Sequence, residues 1–374
     1  MSQPKRVATG PPVVRPKVTV RDIGTALLME RPTVKTRVLI ISDTHCAALK
    51  QRDGSGTPAL AFEAPLPAAD LLIHCGDLTD HGTLEEYHRT LDMLKEIEAP
   101  VKLVIAGNHD LTLDRDFVLG HLEQQDLTKE VAEFELSQMH DLWQGPHGRA
   151  KSEGVTFLEE GVHSIRLENG AQLTVYASPY TPEYQDWGFP YGPEEDRFNT
   201  PEMSLSDATN TASCPIPSFT DTETPIDILI SHGPPYQNLS QTVSGVDAGC
   251  PHLLRAVMRC RPLVHCFGHI HEGWGAEIVK WSDRVDAITS TPTTINEWKD
   301  GAWHSGVAHN GLQSVSVNEE KTVERHAAYL DISRDGSRLR HGAETVLVNA
   351  AIMDVRNRPN NAPWLLDLEL PQAT

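Results

Sequence analysis

The sequence predicts an α/β fold with strands buried on both faces and polar loops gathered at one end. Three observations predict it. Five apolar runs of strand length recur along the chain without the polar alternation of a half-exposed sheet. Amphipathic stretches with helix start and stop signals lie between them. Each run ends directly in Asp, His or Asn, and in open α/β sheets the loops at the carboxyl ends of strands converge on one crevice.

Taken in order, residues 1–35 read as a polar, Pro-rich lead-in whose Val-rich pieces can add an edge strand. Residues 37–42 (Arg-Val-Leu-Ile-Ile-Ser) form the first run, a central strand, and 71–74, 101–105, 226–230 and 263–267 repeat its character. Thr83 and Glu86 make a capping box. The helix they open carries Leu84, Tyr87, Leu91, Leu94 and Ile97 on one stripe and stops at Pro100. A second helix is expected over about 250–260, with Leu253, Leu254 and Val257 facing inward and Pro262 beyond its end. Residues 110–142 read as helical and acidic, and 173–176 as a further strand leading into an aromatic loop that holds Tyr180, Trp187 and Phe189. Residues 200–225, rich in Ser, Thr, Asp and Pro, are expected to form a mobile surface insertion. Residues 282–342 read as a polar insertion with weak alternation at 313–317 and 327–332, suited to hairpins. The expected division is the lead-in (1–35) and a single domain (36–374) carrying the two insertions, at about 200–225 and 282–342.

At 374 residues the chain can bury a large core, and its 39% hydrophobic and 22% charged residues are those of a globular protein. No apolar stretch approaches the ~20 residues of a membrane-spanning helix. Residues 1–20 hold no compact apolar block of the kind found in secretory signals, so a cytoplasmic address is expected. The six cysteines show no C-x-x-C spacing and are expected as reduced thiols, including Cys46 and Cys75, which stand beside motif residues. A net charge of −20, from 32 basic and 52 acidic residues, repels polyanions and anionic membranes at long range.

The polar ends of the five runs read Asp43-Thr44-His45, Gly76-Asp77, Gly107-Asn108-His109-Asp110, Ser231-His232-Gly233 and Gly268-His269-Ile270-His271. An Asp-x-His pair at a strand end puts a carboxylate and an imidazole on the same side, facing one ion. Asp77 adds a carboxylate whose two oxygens can bridge two ions, Asn108 a neutral amide oxygen, and His232, His269 and His271 imidazole nitrogens. This oxygen and nitrogen set without thiolate suits manganese, iron or zinc and disfavours copper(I). Two divalent ions about 3.5–4 Å apart are expected, Mn2+ first, with Fe, Zn, Co or Ni as alternatives. Such a pair lowers the pKa of a bridging water to give hydroxide at neutral pH, neutralises phosphoryl oxygens and aligns an in-line displacement. The ions' own positive charge keeps small phosphoesters in play despite the acidic surface. His109 is the expected general acid for the leaving oxygen, with Asp110 to orient it. A single His at a strand end is commonly structural and the chain has 18, so His74, His81, His252 and His265 are set aside. The order of the five segments is what singles out the others.

The series D-x-H, G-D, G-N-H-D, H-G and G-H-x-H, over residues 38 to about 275, resembles the calcineurin-like metallophosphoesterase superfamily. Residues 231–235, 271–274 and 187–189, with the late segments 348–351, 361–364 and 366–368, resemble the smaller metallophosphoesterase-domain-containing family. The resemblance implies a four-layer sandwich: two central mixed β-sheets flanked by helices, with a dinuclear site at the strand ends. It implies Asp43, His45, Asp77 and His271 as ligands of one ion, and Asp77, Asn108, His232 and His269 of the other, with Asp77 bridging. Some members of the smaller family lack the first His of the last motif and are poor catalysts; this chain keeps His269. Ser/Thr phosphatases of the superfamily carry an Arg where this chain has His81, and purple acid phosphatases a metal-binding Tyr where it has Asp80.

The expected function is a dinuclear hydrolase of small phosphoesters, with diesters or (cyclic) nucleotides ahead of monoesters because the Arg that would grip a dianion is missing. The alternatives are a phosphomonoesterase of the same fold and a weakly catalytic nucleotide-binding or scaffold protein. Tyr180, Trp187 and Phe189 can stack a base or wall the cleft, and the wall fits aromatics near a crevice better. Neither a membrane nor polymeric nucleic acid is an expected partner.

Overall fold

Alternate side chains of the long strands point to opposite faces, and because both faces are apolar the strands need cover on both sides. The computed structural model describes residues 32–50, 62–124, 127–220, 225–282, 294 and 309–374. Along the chain run β1 (Thr33–Ile41), β2 (Leu71–His74), α1 (Leu84–Glu96), β3 (Val101–Val104), α2 (Arg115–Gly120), α3 (Lys129–Trp143), α4 (Arg149–Ser152), β4 (Val155–Phe157), β5 (Gly161–Arg166) and β6 (Gln172–Ser178). Two short ladders follow, β7 (Thr181–Pro182) with β8 (Pro190–Tyr191) and β9 (Glu195–Asp196) with β10 (Thr209–Asn210). Then come β11 (Ile228–Ser231), α5 (Pro251–Cys260), β12 (Val264–Phe267), β13 (Gly275–Trp281), β14 (His309–Ser314), α6 (Glu319–Arg325), β15 (Ala328–Asp331), β16 (Glu344–Asn349) and β17 (Trp364–Pro371).

One sheet is ordered β15-β17-β1-β2-β3-β4 and is parallel except where β17 meets β1. The other is ordered β14-β13-β16-β12-β11-β6-β5, with a parallel centre and antiparallel pairs towards both edges. Val38, Ile40 and Ile73 from the first sheet and Ile228, Ile230 and Val348 from the second share the core between them. The alternate residues Leu39, Ile41 and Leu72 meet α1 and α3 through Leu91, Leu94 and Trp143. Leu229, Phe267 and Leu347 meet α5 through Leu253 and Val257. The result is the expected helix–sheet–sheet–helix sandwich of mixed sheets.

The helix signals act as read. Thr83 accepts from Glu86 N–H while the Glu86 carboxylate accepts from Thr83 N–H, closing both halves of the capping box. Other segments depart from the sequence reading. The 110–142 stretch is broken into a 3-10 turn (Leu111–Leu113), α2 and α3, because Asp114 and Thr128 each cap a new start. The first strand begins at Thr33, inside the expected lead-in, since Thr33–Lys35 pair with β17; the rest of the lead-in's possible edge strand lies outside the described residues. Residues 200–220 do not hang free: Leu205 and Ile216 are buried against α5, and Arg259 holds Asn199 and Ser218. Of the polar stretch 282–342, residues 309–342 supply an edge strand to each sheet, β14 and β15; most of 283–308 lies outside the described residues.

Candidate metal centre

Strands β1, β2 and β3 run parallel, as do β11 and β12, so the residues that follow them emerge along one edge of each sheet. Asp43, Asp77 and Asn108 leave the first sheet there, and His232 and His269 the second. The turns are tight: Asp43, His45, Asp77 and His269 all take left-handed backbone conformations, with φ of 51°, 43°, 53° and 65°. Non-glycine residues persist in that region only where the surroundings hold them, commonly at functional sites. The two sheets are tied at this point by hydrogen bonds from His232 Nδ1 to the Cys75 carbonyl (2.8 Å) and from His269 N–H to the Asp43 carboxylate (3.0 Å).

The seven expected ligands come together. Asp43, His45 and His271 bring one donor atom each to within 4.8 Å of one another, and so do Asp77, His232 and His269. His45, Asp77 and His109 form a third such triplet that overlaps both. The two oxygens of Asp77 face different groups: Oδ2 lies 3.7 Å from His45 Nε2 and Oδ1 3.3 Å from His232 Nε2. Asn108 Oδ1 lies 2.9 Å from the same His232 nitrogen. Asp43 accepts from the His269 amide at 3.0 Å and lies 3.4 Å from His271 Nε2. Asp43, Asp77, Asn108 and His232 are buried, whereas His45, His269 and His271 are half-buried and line the open side.

Charge in this cluster is arranged around two buried carboxylates. Burial pushes Asp43 up, but the His271 and His232 rings outweigh it and hold the carboxyl at about 2. Burial likewise opposes ionisation of Asp77, and His232, His45 and His109 keep it well below the usual range. Burial would lower His232 and His45; carboxylates reverse that and raise both rings to about 9. His269 is pushed down to about 4 by burial and by the neighbouring His232. Buried carboxylates need positive charge nearby, and the imidazoles around Asp43 and Asp77 lie where they or a cation can supply it.

These residues fit two divalent cations. His45 Nε2 is buried with no hydrogen-bond partner. The donors are carboxylate oxygen, amide oxygen and imidazole nitrogen, the mixture that intermediate divalent metals take. Glycines make the room: a Cβ on Gly107 would lie 2.3 Å from Asp77 Oδ1, and one on Gly268 1.9 Å from Asp43 Oδ2.

A family model for the calcineurin-like phosphoesterases matches residues 36–273. The chain belongs to that family. Its members typically bind a dinuclear metal centre, and the two triplets are the candidate ligand groups for one here. Relatives include the human metallophosphoesterase domain-containing protein 1, 31% identical over 270 residues, which are 70% of this chain and 68% of that protein. A UPF0046 protein of Caenorhabditis elegans is 32% identical over 214 residues, 56% of this chain and 48% of its own. A probable rhamnogalacturonate lyase C of Emericella nidulans is 32% identical over 260 residues, 69% of this chain, but the match spans 19% of that protein, so its name describes a much longer chain.

Within the phosphoesterase fold, the other expected site residues divide. His109 stands at the cleft, its N–H donating to Asp77 Oδ1 and its ring Nδ1 to the Asp80 carbonyl, both at 2.9 Å. Asp110 does not orient that ring. It is fully buried and accepts from the amides of Leu78, Thr79 and Gly107 and from the Thr79 hydroxyl, which locks the loop after β2 onto the loop after β3. Burial and the Asp77 charge push it up to about 7. Phe189 is buried and so is not open to a substrate, and Tyr180 has Arg197 stacked 3.4 Å above its ring. Trp187 is the aromatic that borders the site, 3.9 Å from His109 between ring centroids. His74 and His265 are buried on Thr44 and Ser231 hydroxyls, His252 is buried beside Asp196, and His81 is exposed beside Glu86.

Sequence reasoning missed the groups behind the ligands. Asp80 Oδ1 lies 3.1 Å from His45 Nδ1, and the Cys75 carbonyl takes the Nδ1 proton of His232. The carbonyl fixes which His232 nitrogen faces the cluster, and the Asp80 carboxylate stands on the far side of the His45 ring from Asp77, the kind of support that lies behind metal-bound imidazoles. The G-D-x-x-D spacing, three residues from Asp77 to Asp80, was the available signal for the first; a backbone carbonyl leaves none.

Proposed function

We propose that this protein is a dinuclear metal-dependent phosphodiesterase acting on small phosphodiesters or (cyclic) nucleotides, at work in the cytoplasm where its thiols stay reduced. One observation carries the reading: two triplets of ligand atoms meet at Asp77, whose two oxygens face different triplets. Asp43, His45, His271 and Asp77 would hold one ion, and Asp77, Asn108, His232 and His269 the other. Two divalent cations there, Mn2+ foremost, would polarise water for attack and neutralise the phosphoryl oxygens.

The chain's own residues supply the rest. His109 commits Nδ1 to the Asp80 carbonyl, which leaves Nε2 to give its proton to the departing oxygen. The His109 amide on Asp77 Oδ1 ties that acid to the carboxylate shared by both ligand groups, fixing their separation. Where the Ser/Thr phosphatases carry Arg, the exposed His81 stands beside Glu86, a weak grip for a dianionic monoester. A diester, with one negative charge and no bare phosphoryl end, makes less demand for such a clamp.

The test is turnover of bis-p-nitrophenyl phosphate against p-nitrophenyl phosphate by protein loaded with Mn2+, with metal content measured alongside. The reading expects about two ions per chain and a higher kcat/KM for the diester. A strong monoester preference would make the protein a phosphatase, and metal-free protein from metal-replete buffer would make it a binding or scaffold protein.

A further inference from the structure

We propose that Trp187 is a positioning residue for His109: its indole holds the imidazole in the orientation that keeps Nδ1 on the Asp80 carbonyl and Nε2 free for the leaving oxygen. The inference rests on the general-acid reading of His109. A histidine ring turns readily about its Cβ–Cγ bond, since that torsion is broad, and one hydrogen bond restrains it weakly. Here the ring meets three groups. The Asp80 carbonyl takes Nδ1 at 2.9 Å, the His45 ring stands edge-on at 4.8 Å and 83°, and the Trp187 indole covers one face at 3.9 Å with 30° between the planes.

The indole is mounted on the segment that carries His109. Gly188 N–H donates to the Asn108 carbonyl at 2.9 Å, and Phe189 N–H to the Asp114 carboxylate at 2.6 Å. On the other side of Trp187, Asp186 pairs with His121 at 2.8 Å. A Cβ on Gly188 would lie 3.2 Å from the Asn108 carbonyl oxygen, so the loop seats closely on that segment. Trp187 is half-buried and, among the described residues, joins none of the apolar cores. Of the two imidazoles beside the indole, His109 is in face contact at 3.9 Å and His81 stands off at 6.4 Å.

Leaving-group dependence tests this, because only a poor leaving group needs the proton. Wild type, Trp187→Ala, Trp187→Phe and His109→Ala are compared in kcat on p-nitrophenyl methyl phosphate and phenyl methyl phosphate, which differ in the leaving group alone. General acid help is worth about 10²–10⁴, so Trp187→Ala should lose at least ~10-fold more on the phenyl ester than on the p-nitrophenyl ester, with most of that difference recovered in Trp187→Phe. In metal-free protein, the carbon-bound ring protons of His109 should carry an upfield ring-current shift by NMR that Trp187→Ala abolishes. Equal losses of Trp187→Ala on the two esters, while His109→Ala discriminates between them, would overturn the positioning role alone. Equal losses of His109→Ala on both would remove the general-acid reading and this inference with it.

Discussion

Gly268 carries a hydrogen where any other residue would set a carbon 1.9 Å from Asp43 Oδ2. Gly268→Ala should therefore displace Asp43 and lose bound metal while far-UV circular dichroism stays native; retained metal would show that the loop yields instead. Asp77→Ala should cost more activity than His109→Ala, because Asp77 serves both ligand groups while an acid contributes about 10²–10⁴; comparable residual rates at matched metal loading would refute that ranking. A third residue acts on stability. Asp227, buried between β6 and β11 with one oxygen accepting from Thr174 N–H, is pushed up to about 7 by burial. The native state then holds a proton that the unfolded chain releases near pH 4, so stability falls as pH rises from about 4 to 7 and stays low above. Asp227→Asn keeps the acceptor without the charge. It should melt at or below the wild-type temperature at pH 4 and above it at pH 8, by on the order of 2 kcal/mol in stability at the higher pH; a difference independent of pH would refute the assignment.

At the scale of elements, α1 is held by its cap and by its apolar stripe. Thr83→Ala removes the acceptor for Glu86 N–H and one side of the reciprocal pair, and should cost about 1 kcal/mol by urea unfolding. The activity should change little, since α1 touches the sheet through Leu91 and Leu94 and not the ligands. The boundaries of α1 and α5 were legible because they depend on nearby residues: Thr83 with Glu86, and Pro262 just beyond the end of α5. The break at Asp114 was missed since an acidic stretch with helix-forming residues hides a cap among similar side chains. The edge strands β14 and β15 were faint for another reason. Their residues are half polar, and what makes them strands is pairing with β13 and β17, partners that local pattern does not announce.

For the whole molecule, the candidate ligand groups draw on both sheets, so a bound metal would act as a clamp between them. Removing it leaves Asp43 and Asp77 buried with only imidazoles for compensation. Chelation with EDTA should lower the melting temperature and Mn2+ should restore it, the stabilisation approaching about 2.7 kcal/mol when free metal is 100 times its Kd; a melting temperature indifferent to both would count against a metal centre. Among the described residues no helix is long and apolar enough to cross a membrane. All six cysteines are free thiols, as their spacing suggested.

By itself the sequence determined the α/β class, the start of α1 and the seven candidate ligands that the fold brings together, because strand length, capping and the order of five motifs are properties of short stretches. Only the tertiary structure decided what each polar group near the site does. Asp110 and His109 are adjacent in the chain, yet one is buried as a lock between loops and the other faces the cleft, since side chains of neighbouring residues leave a turn in different directions. Trp187, about eighty residues further along, reaches His109 because hydrogen bonds fold its loop across the strand ends, and distance along a chain carries no record of that.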